Sequence, residues 1–365
     1  MKFLHTADWQ IGMRATMLGD KGVRVRAARL ESARHVIALA RRERAEFVVL
    51  AGDTFEDNGV ERLKVREVAK ILGGADCPVF IIPGNHDPLT PGSVWEDTVW
   101  NEWTNLHVLT QPRPVETAAA TLYPCPVIAG DSRDDPSGWI QTQGNTIAIG
   151  IAHGSVESAA YQATLPIRRD AARVHGLDYL ALGHFHSTTL HADDAGAVHM
   201  AYSGTHESTG FTESDSGNVL IVDIPYRGAG PQIQTLRTAS LEWMSLFSKI
   251  EKPGQVRALA ARLDALPTPE RTLIDLTLTG VLFGADYDAL TRLVEIVEGR
   301  FLFGRHDLTH LVSDETGPEW IERLPEGYLR DAAHQLLGMA ADNPPDPVAA
   351  DALREYSRLW REVCK

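Results

Sequence analysis

The chain has 365 residues, a hydrophobic fraction of 44% and a formal net charge of −14. This length exceeds that of a typical single domain, so we expect one large domain and a smaller one. No apolar run approaches the roughly 18 residues that cross a bilayer, so we expect a cytoplasmic protein without a membrane segment. Three cysteines in so long a chain argue against a disulfide framework. The acidic total excludes a uniformly basic surface, so any DNA-binding surface has to be local, metal-assisted or supplied by a partner.

The first two-thirds of the chain alternate apolar strands with amphipathic helices. The pattern predicts strands near residues 3–4, 46–51, 79–82, 146–152, 179–182, 198–202 and 219–222. Between the first three of these strands it predicts helices over residues 27–44 and 61–72. Alternation of this kind is typical of an α/β fold.

A turn-rich stretch at residues 225–231 ends this region. A small α/β unit is expected beyond it, over about residues 248–312, followed by two closing helices. The elements predicted there are a helix at 255–266, a strand at 272–278, and helices at 287–298, 328–339 and 347–363. Asp346 is a plausible N-cap for the last helix. One side of that helix carries Ala349, Leu353, Tyr356, Trp360 and Val363. This side either packs on its own domain or binds a partner.

Polar side chains follow the carboxyl ends of the predicted strands, where ligands bind in open α/β sheets. They are Asp8 with Gln10, Asp53, Asn85 with His86, His153, and His184 with His186. Residues two apart in extended backbone point to the same side, so each pair with that spacing can address one point. Mixed Asp, Asn and His ligands suit Mn²⁺, Fe²⁺ or Zn²⁺ rather than Ca²⁺. No single one of these residues is diagnostic, but the ordered set predicts a metal site.

The same segments resemble the five phosphoesterase motifs of the calcineurin-like superfamily. The matching stretches are residues 5–12 (HTADWQIG), 51–55 (AGDTF), 83–87 (PGNHD), 152–154 (AHG) and 182–186 (LGHFH). The opening HTADW and AYSGT at 201–205 are similar to the SbcD branch of DNA repair exonucleases. This resemblance covers roughly residues 1–240 well and the remainder loosely.

The resemblance implies an α/β fold, namely a calcineurin-like phosphoesterase β-sandwich flanked by helices, with a small α/β capping domain and C-terminal helices. The implied boundaries are residues 1–242 for the metallophosphoesterase domain, 243–320 for the capping domain and 321–365 for a C-terminal helical segment. That last segment is a possible docking site for a partner.

The resemblance also implies two divalent metal ions, with Mn²⁺ expected and Mg²⁺ or Fe²⁺ as alternatives. One ion would be held by Asp8, Gln10, Asp53 and His186, and the other by Asp53, Asn85, His153 and His184. His86 matches the catalytic histidine of the family. The chain departs from the family pattern at Gln10, where a histidine is usual, and this predicts a looser first site that favours Mn²⁺ over Zn²⁺. It also departs at Glu56, whose carboxylate would repel a DNA phosphate unless it faces away or pairs with an arginine.

The activity implied by the SbcD resemblance is a Mn²⁺-dependent DNA nuclease of repair or recombination, acting as an exonuclease on duplex ends, with endonuclease action on single strands as a further expected activity. A homodimer and an SbcC-type coiled-coil ATPase partner are expected with it. One alternative is a calcineurin-like phosphatase acting on a small molecule or a protein, which the acidic charge favours. The other is a non-catalytic metal-bound scaffold, suggested by the substitution at Gln10.

Two sets of residues are candidate DNA contacts. Arg14, Lys21, Arg24 and Arg26 follow the first motif, and Arg29 and Arg34 continue this basic stripe. The alternative is a solvated helix face, with Arg29 and Arg34 simply exposed. The second set either stacks on bases or packs a helix or subunit interface; it comprises Trp95, Trp100 and Trp103.

Overall fold

The computed structural model describes residues 1–128, 132–157, 164–193, 196–313, 318–341 and 346–363. The chain divides into two compact units, Met1–Glu242 and Trp243–Lys365. Cys77 and Cys125 are free thiols, whereas Cys364 lies outside the described residues. Among the described residues, none of the helices combines the length and the apolar character that a membrane crossing requires.

The first unit is built on two six-stranded sheets. The first sheet has the order β14-β13-β1-β2-β3-β4, in which β1 to β4 run parallel and β13 is antiparallel to β1. Its strands are β1 (Lys2–Thr6), β2 (Val48–Ala51), β3 (Val79–Ile82), β4 (Leu106–Val108), β13 (Asn218–Asp223) and β14 (Gln232–Arg237).

The second sheet has the order β11-β12-β10-β7-β6-β5, with β6, β7, β10 and β12 parallel. Its strands are β5 (Val115–Glu116), β6 (Ala120–Cys125), β7 (Ile147–His153), β10 (Tyr179–Gly183), β11 (Thr189–Ala192) and β12 (Val198–Tyr202). The short strands β8 (Ser155–Val156) and β9 (Pro166–Ile167) pair separately.

Alternating side chains place the first sheet between two apolar layers. On one face, Leu50 and Ile81 pack against α1 (Gly22–Arg42) and α2 (Arg62–Gly73). On the other face, Val49 and its neighbours pack against Ile149, Tyr179 and other side chains of the second sheet. The outer face of the second sheet is covered by α3 (Ala171–Val174) and nearby loops. The expected α/β sandwich flanked by helices is therefore confirmed.

Tryptophans that were candidates for base stacking pack the first unit instead. Trp95 and Trp100 are 6% and 4% exposed, lie 5.3 Å apart between ring centroids, and both contact Phe55. Trp103 is partly buried against the same core. The packing interpretation is the correct one for these residues.

The second unit has a three-stranded sheet of order β15-β16-β17 and four helices among its described residues. Its elements are β15 (Glu242–Ile250), α4 (Gln255–Asp264), β16 (Thr272–Leu282), α5 (Tyr287–Arg300), β17 (Phe303–Ser313), α6 (Tyr328–Ala341) and α7 (Pro347–Val363). Helices α4 and α5 share an apolar core with the sheet. The predicted positions of α4, α5, α6 and α7 are confirmed, but the pattern did not identify β17.

Helix α7 begins as predicted, because Asp346 Oδ1 accepts hydrogen bonds from the backbone N–H of Val348 and of Ala349. Ala349 and Leu353, from the predicted stripe, are 3% and 1% exposed, and Leu353 belongs to a small core shared with α6. This part of the stripe packs on its own unit. A role for the C-terminal helices in binding a partner stays a prediction.

Candidate metal centre

The predicted ligands lie on loops from both sheets of the first unit, at the carboxyl ends of the central parallel strands. Asp8, Asp53 and Asn85 follow β1, β2 and β3, while His153 ends β7 and His184 follows β10. Backbone hydrogen bonds join these loops: Asp8 N donates to Gly52 O at 3.1 Å, and Gly154 N donates to Gly183 O at 3.1 Å. Parallel strands bring their carboxyl ends to one edge, so the sheet topology itself assembles the site.

Three of the predicted ligands form a buried cluster at this edge. Asp8, Asp53 and His153 each offer a ligand atom within 4.8 Å of the others, and none is more than 1% exposed. Burial raises the pKa of Asp8 well above its ordinary value. Burial also acts to raise the pKa of Asp53, but the neighbouring His153 outweighs this effect and lowers it. Two carboxylates packed together in a dry site call for a cation.

His153 is oriented for ligation by a carbonyl. Its Nδ1 lies 2.9 Å from Ala51 O, so Nδ1 carries a proton and donates it there. Its Nε2 lies 2.8 Å from Asn85 Oδ1 and 3.4 Å from Asp53 Oδ2, two groups that accept. Despite burial, which lowers it, the pKa of His153 is raised to about 9 by Asp53. A proton or a metal ion has to lie between these atoms.

Asn85 links the two histidines of the predicted second site. Its Oδ1 lies 2.8 Å from His153 Nε2 and 2.8 Å from His184 Nδ1. Burial, together with the charge of His153, lowers the pKa of His184 to about 4, so its imidazole is neutral and able to ligate. The structure thus brings together all four predicted ligands of this second site, counting Asp53.

Gln10 fits a cation through an oxygen atom that has no hydrogen-bond partner among the described residues. Its Nε2 donates to Asp53 Oδ2 at 3.1 Å, and the side chain is 2% exposed. Its Oε1 is buried and has no hydrogen-bond partner among the described residues. An unsatisfied buried acceptor is costly and rare, and a bound metal ion is one of its recognised explanations. The donor set therefore fits a metal ion beside Gln10 as well.

His186 is held by two residues that the sequence interpretation missed. Its Nδ1 lies 2.7 Å from Glu213 Oε1 and 3.1 Å from Thr209 Oγ1. Burial acts to lower the pKa of His186, but Glu213 and the nearby Asp8 raise it. A carboxylate on one ring nitrogen is the usual way to aim the other nitrogen at a metal. The spacing from His186 to Glu213 carries no recognisable motif, so no sequence signal identified this pair.

Backbone strain is concentrated at the site. Left-handed φ values occur at Asp8 (54°), Gln10 (45°), Asp53 (51°) and His184 (116°), all of them predicted ligands. Strain of this kind is typical of functional sites, where the surrounding structure has to impose it. Glycine is required close by, because a Cβ on Gly84 would lie 2.1 Å from Asp53 Oδ1.

His86 lies at the exposed rim rather than inside the cluster. Its backbone N donates to Asp53 Oδ1 at 2.9 Å, and its Nδ1 lies 2.9 Å from Glu56 O. The carbonyl of Glu56 thus orients His86 and leaves the ring Nε2 available to a substrate. Because this contact uses the backbone carbonyl of residue 56, it does not depend on Glu56 replacing the residue type that the family pattern contains.

Asp87 is a residue to which the sequence interpretation assigned no role. It is buried, and its carboxylate accepts hydrogen bonds from Phe55 N and Gly84 N, which joins the loops that carry these two residues.

The basic stripe is less uniform than its sequence indicates. Arg29 is 1% exposed, so the expectation that it is exposed is wrong. Its guanidinium donates hydrogen bonds to the backbone carbonyls of Trp9 and Glu207. These hydrogen bonds fix the loop after β1. Arg24 pairs with Glu31 at 3.0 Å and Arg34 pairs with Glu67 at 2.6 Å. Arg14 and Lys21 are exposed, and Arg26 donates a hydrogen bond to Arg14 O at 2.8 Å. Contact of Arg14, Lys21, Arg24 and Arg26 with DNA stays a prediction.

Comparison with known proteins agrees with this geometry. The family model described as calcineurin-like phosphoesterase matches residues 1–188. An uncharacterized metallophosphoesterase, YhaO of Bacillus subtilis (strain 168), is 23% identical over 335 residues, which are 87% of this chain and 72% of that protein.

A second relative is the DNA double-strand break repair protein Mre11 of Sulfurisphaera tokodaii. It is 23% identical over 250 residues, and the match spans 64% of this chain and 62% of that protein. Among solved structures, TT1561 of Thermus thermophilus matches with a TM-score of 0.43 and 11% identity, covering 65% of this chain and 98% of its own.

Proposed function

The chain belongs to the calcineurin-like phosphoesterase family, and we propose that it is a two-metal phosphodiesterase that cleaves DNA. One observation carries the proposal: the buried cluster of Asp8, Asp53 and His153 is joined by Asn85, which contacts His153, and by Gln10, which contacts Asp53 and whose Oε1 has no hydrogen-bond partner among the described residues. Several donor atoms grouped around a shared carboxylate are the arrangement that a metal pair requires.

In this proposal the metal ions are held as the family resemblance implies. Asp8, Gln10, Asp53 and His186 would hold one ion, and Asp53, Asn85, His153 and His184 the other. When bound, the pair supplies a nucleophilic water at neutral pH and stabilises charge on the reacting phosphoryl group. A neutral amide from Gln10 is a weaker ligand than imidazole, which supports a preference for Mn²⁺.

The residues of the chain contribute positioning and proton transfer. His86 Nδ1 is held by Glu56 O, so its Nε2 is presented at the rim, where a leaving oxygen would emerge. There a protonated ring stabilises negative charge and donates a proton to the departing oxygen. Glu213 accepts a hydrogen bond from His186, and Arg29 donates to the loop that carries Asp8 and Gln10. Both His186 and this loop are therefore held in position when substrate binds.

Support for DNA as the substrate comes from the similarity to Mre11, which is by name a protein of DNA double-strand break repair. Exposed Arg14 and Lys21 follow the loop of the first motif and are candidate contacts to phosphates, with Arg24 and Arg26 beside them. The SbcD-like motifs of the sequence extend the proposal to action in the cytoplasm as a homodimer with an SbcC-type ATPase. The chain spans only 62% of that relative, so these remain parts of the proposal.

The test is hydrolysis of linear duplex and single-stranded DNA by the purified full chain with Mn²⁺. We expect His86→Ala to reduce the rate by roughly 10²–10⁴-fold, the usual contribution of a general acid. The matched control is His310→Ala, which removes an exposed histidine of the second unit and leaves the rate unchanged.

A phosphatase acting on a monoester is the second candidate, because a net charge of −14 disfavours a polyanionic substrate. Turnover of p-nitrophenyl phosphate without cleavage of any DNA would select it over the nuclease. Tight Mn²⁺ binding with no turnover of either substrate would instead indicate a metal-bound scaffold.

A further inference from the structure

Phe185 is an exposed aromatic ring directly beside the metal centre. It lies in the chain between His184 and His186, two proposed ligands, yet 43% of its surface is accessible. Its ring contacts His184 edge-on at a centroid distance of 5.4 Å. The ring therefore lies next to a residue that is proposed to hold one of the metal ions.

The ring of Phe185 packs against a buried tyrosine, which restricts its orientation. Its ring packs edge-on against Tyr202 at a centroid distance of 5.1 Å, with an interplanar angle of 89°. Tyr202 is 1% exposed, donates its hydroxyl to Gly154 O at 2.7 Å and accepts from Val156 N at 2.8 Å. A ring held by such a support loses little freedom when a ligand binds.

We propose that Phe185 is the stacking platform for a nucleobase next to the scissile phosphate, an inference that rests on the proposed phosphodiesterase function. In a nucleotide the base is joined to its phosphate through a single sugar, so a phosphate at the cluster brings a base within reach of this ring. Every base has a π-face, and an aromatic side chain stacks on it without reading its identity. The subsite therefore recognises nucleic acid over simple diesters without selecting a sequence.

The test compares two single strands with Mn²⁺ and the full chain. One is twelve thymidylates, and the other is a matched strand of twelve abasic residues that keeps every phosphate. Wild type prefers the strand with bases. Phe185→Ala lowers kcat/KM on that strand by roughly 5- to 150-fold, the range expected for one base stack, and leaves kcat/KM on the abasic strand unchanged.

Further variants separate stacking from packing. Phe185→Trp retains the preference for bases, whereas Phe185→Leu, which is apolar but has no π-face, loses it. Calorimetric titration with Mn²⁺ shows that each variant keeps the metal centre. Phe247→Ala is the matched control, because it removes another exposed ring, 71% accessible, in the second unit and changes neither substrate.

Two results would overturn the stacking proposal while leaving the phosphodiesterase intact: equal wild-type kcat/KM on both strands, or an equal loss on both in Phe185→Ala. Cleavage of neither strand by wild type would also overturn the stacking proposal, and failure to cleave linear duplex DNA as well would overturn the proposed function itself.

Discussion

Gln10 is the residue at which this site departs from the pattern of its motifs. Its amide donates to Asp53, and the strained backbone at φ 45° aims the side chain into the cluster. A neutral oxygen is a weaker ligand than an imidazole nitrogen for the metals that such sites bind. The first of the two proposed ion sites is therefore expected to be the weaker one.

Replacing Gln10 with histidine restores the ligand that the family pattern contains. We expect Gln10→His to tighten Mn²⁺ at the first site by roughly tenfold and to raise affinity for Zn²⁺ further, because imidazole suits both metals. Isothermal titration with each metal measures both effects. Gln10→Ala provides the opposite change and is expected to weaken the same site only. Unchanged affinities in both variants would show that Gln10 does not ligate.

At the scale of elements, α1 has two sides with different tasks. Its apolar residues pack on the first sheet, while Arg29 reaches the loop after β1 and the segment around Glu207. Burial lowers the pKa of Arg29 to about 10, so it remains charged at neutral pH. The buried carboxylate of Glu207 lies nearby and accepts from Ser32 Oγ and Ser240 N. One helix residue therefore connects the metal loop to a distant part of the chain.

Removal of Arg29 is expected to be far more damaging than removal of its exposed neighbours. Arg29→Ala leaves several buried carbonyls without their donor and removes the positive charge that interacts with the buried carboxylate of Glu207, which costs about 3–5 kcal/mol of unfolding free energy. Arg34→Ala breaks an exposed pair with Glu67 and costs at most about 1 kcal/mol. Urea unfolding of both variants checks the contrast. Similar losses would mean that Arg29 is not the structural link described above.

Some elements were unpredictable from local pattern for identifiable reasons. Strand β6 contains Pro124, and a proline argues against a strand because it has no backbone N–H to donate. The pairing of β6 with β5 is confined to Thr121 and Leu122, so the proline lies beyond that pairing. Strand β14 is mostly exposed, and β17 carries polar or charged residues at many positions, so neither shows an apolar run. The position of each strand is set by its pairing, β6 with β7, β14 with β13 and β17 with β16.

At the scale of the whole molecule, the two units have separate apolar cores. Two large core clusters lie within the first unit, on either side of its first sheet, and another lies in the second unit around α4, α5 and β16. All of the proposed metal ligands belong to the first unit. Metal binding should therefore stabilise the first unit specifically.

Removal of the metal ions by a chelator is expected to lower the Tm of the first unit and to leave the Tm of the second unit unchanged. A ligand at about 100 times its dissociation constant adds about 2.7 kcal/mol, which corresponds to a rise in Tm of roughly 5–10 °C for a domain of this size. Scanning calorimetry with Mn²⁺ and with EDTA measures the difference. Asp53→Asn, which removes the shared carboxylate, should show no metal-dependent shift. A shift in both transitions, or in neither, would contradict this assignment.

The sequence by itself determined the α/β class, most of the central strands and helices, and the set of polar residues at the strand ends. Those features are local, because apolar periodicity and residue type are written into short segments. Only the tertiary structure decided which of these residues meet. It paired His186 with Glu213, buried Arg29, left Gln10 Oε1 without a partner among the described residues and placed His86 and Phe185 at the rim. Each of these outcomes depends on contacts between distant segments, which no local pattern specifies.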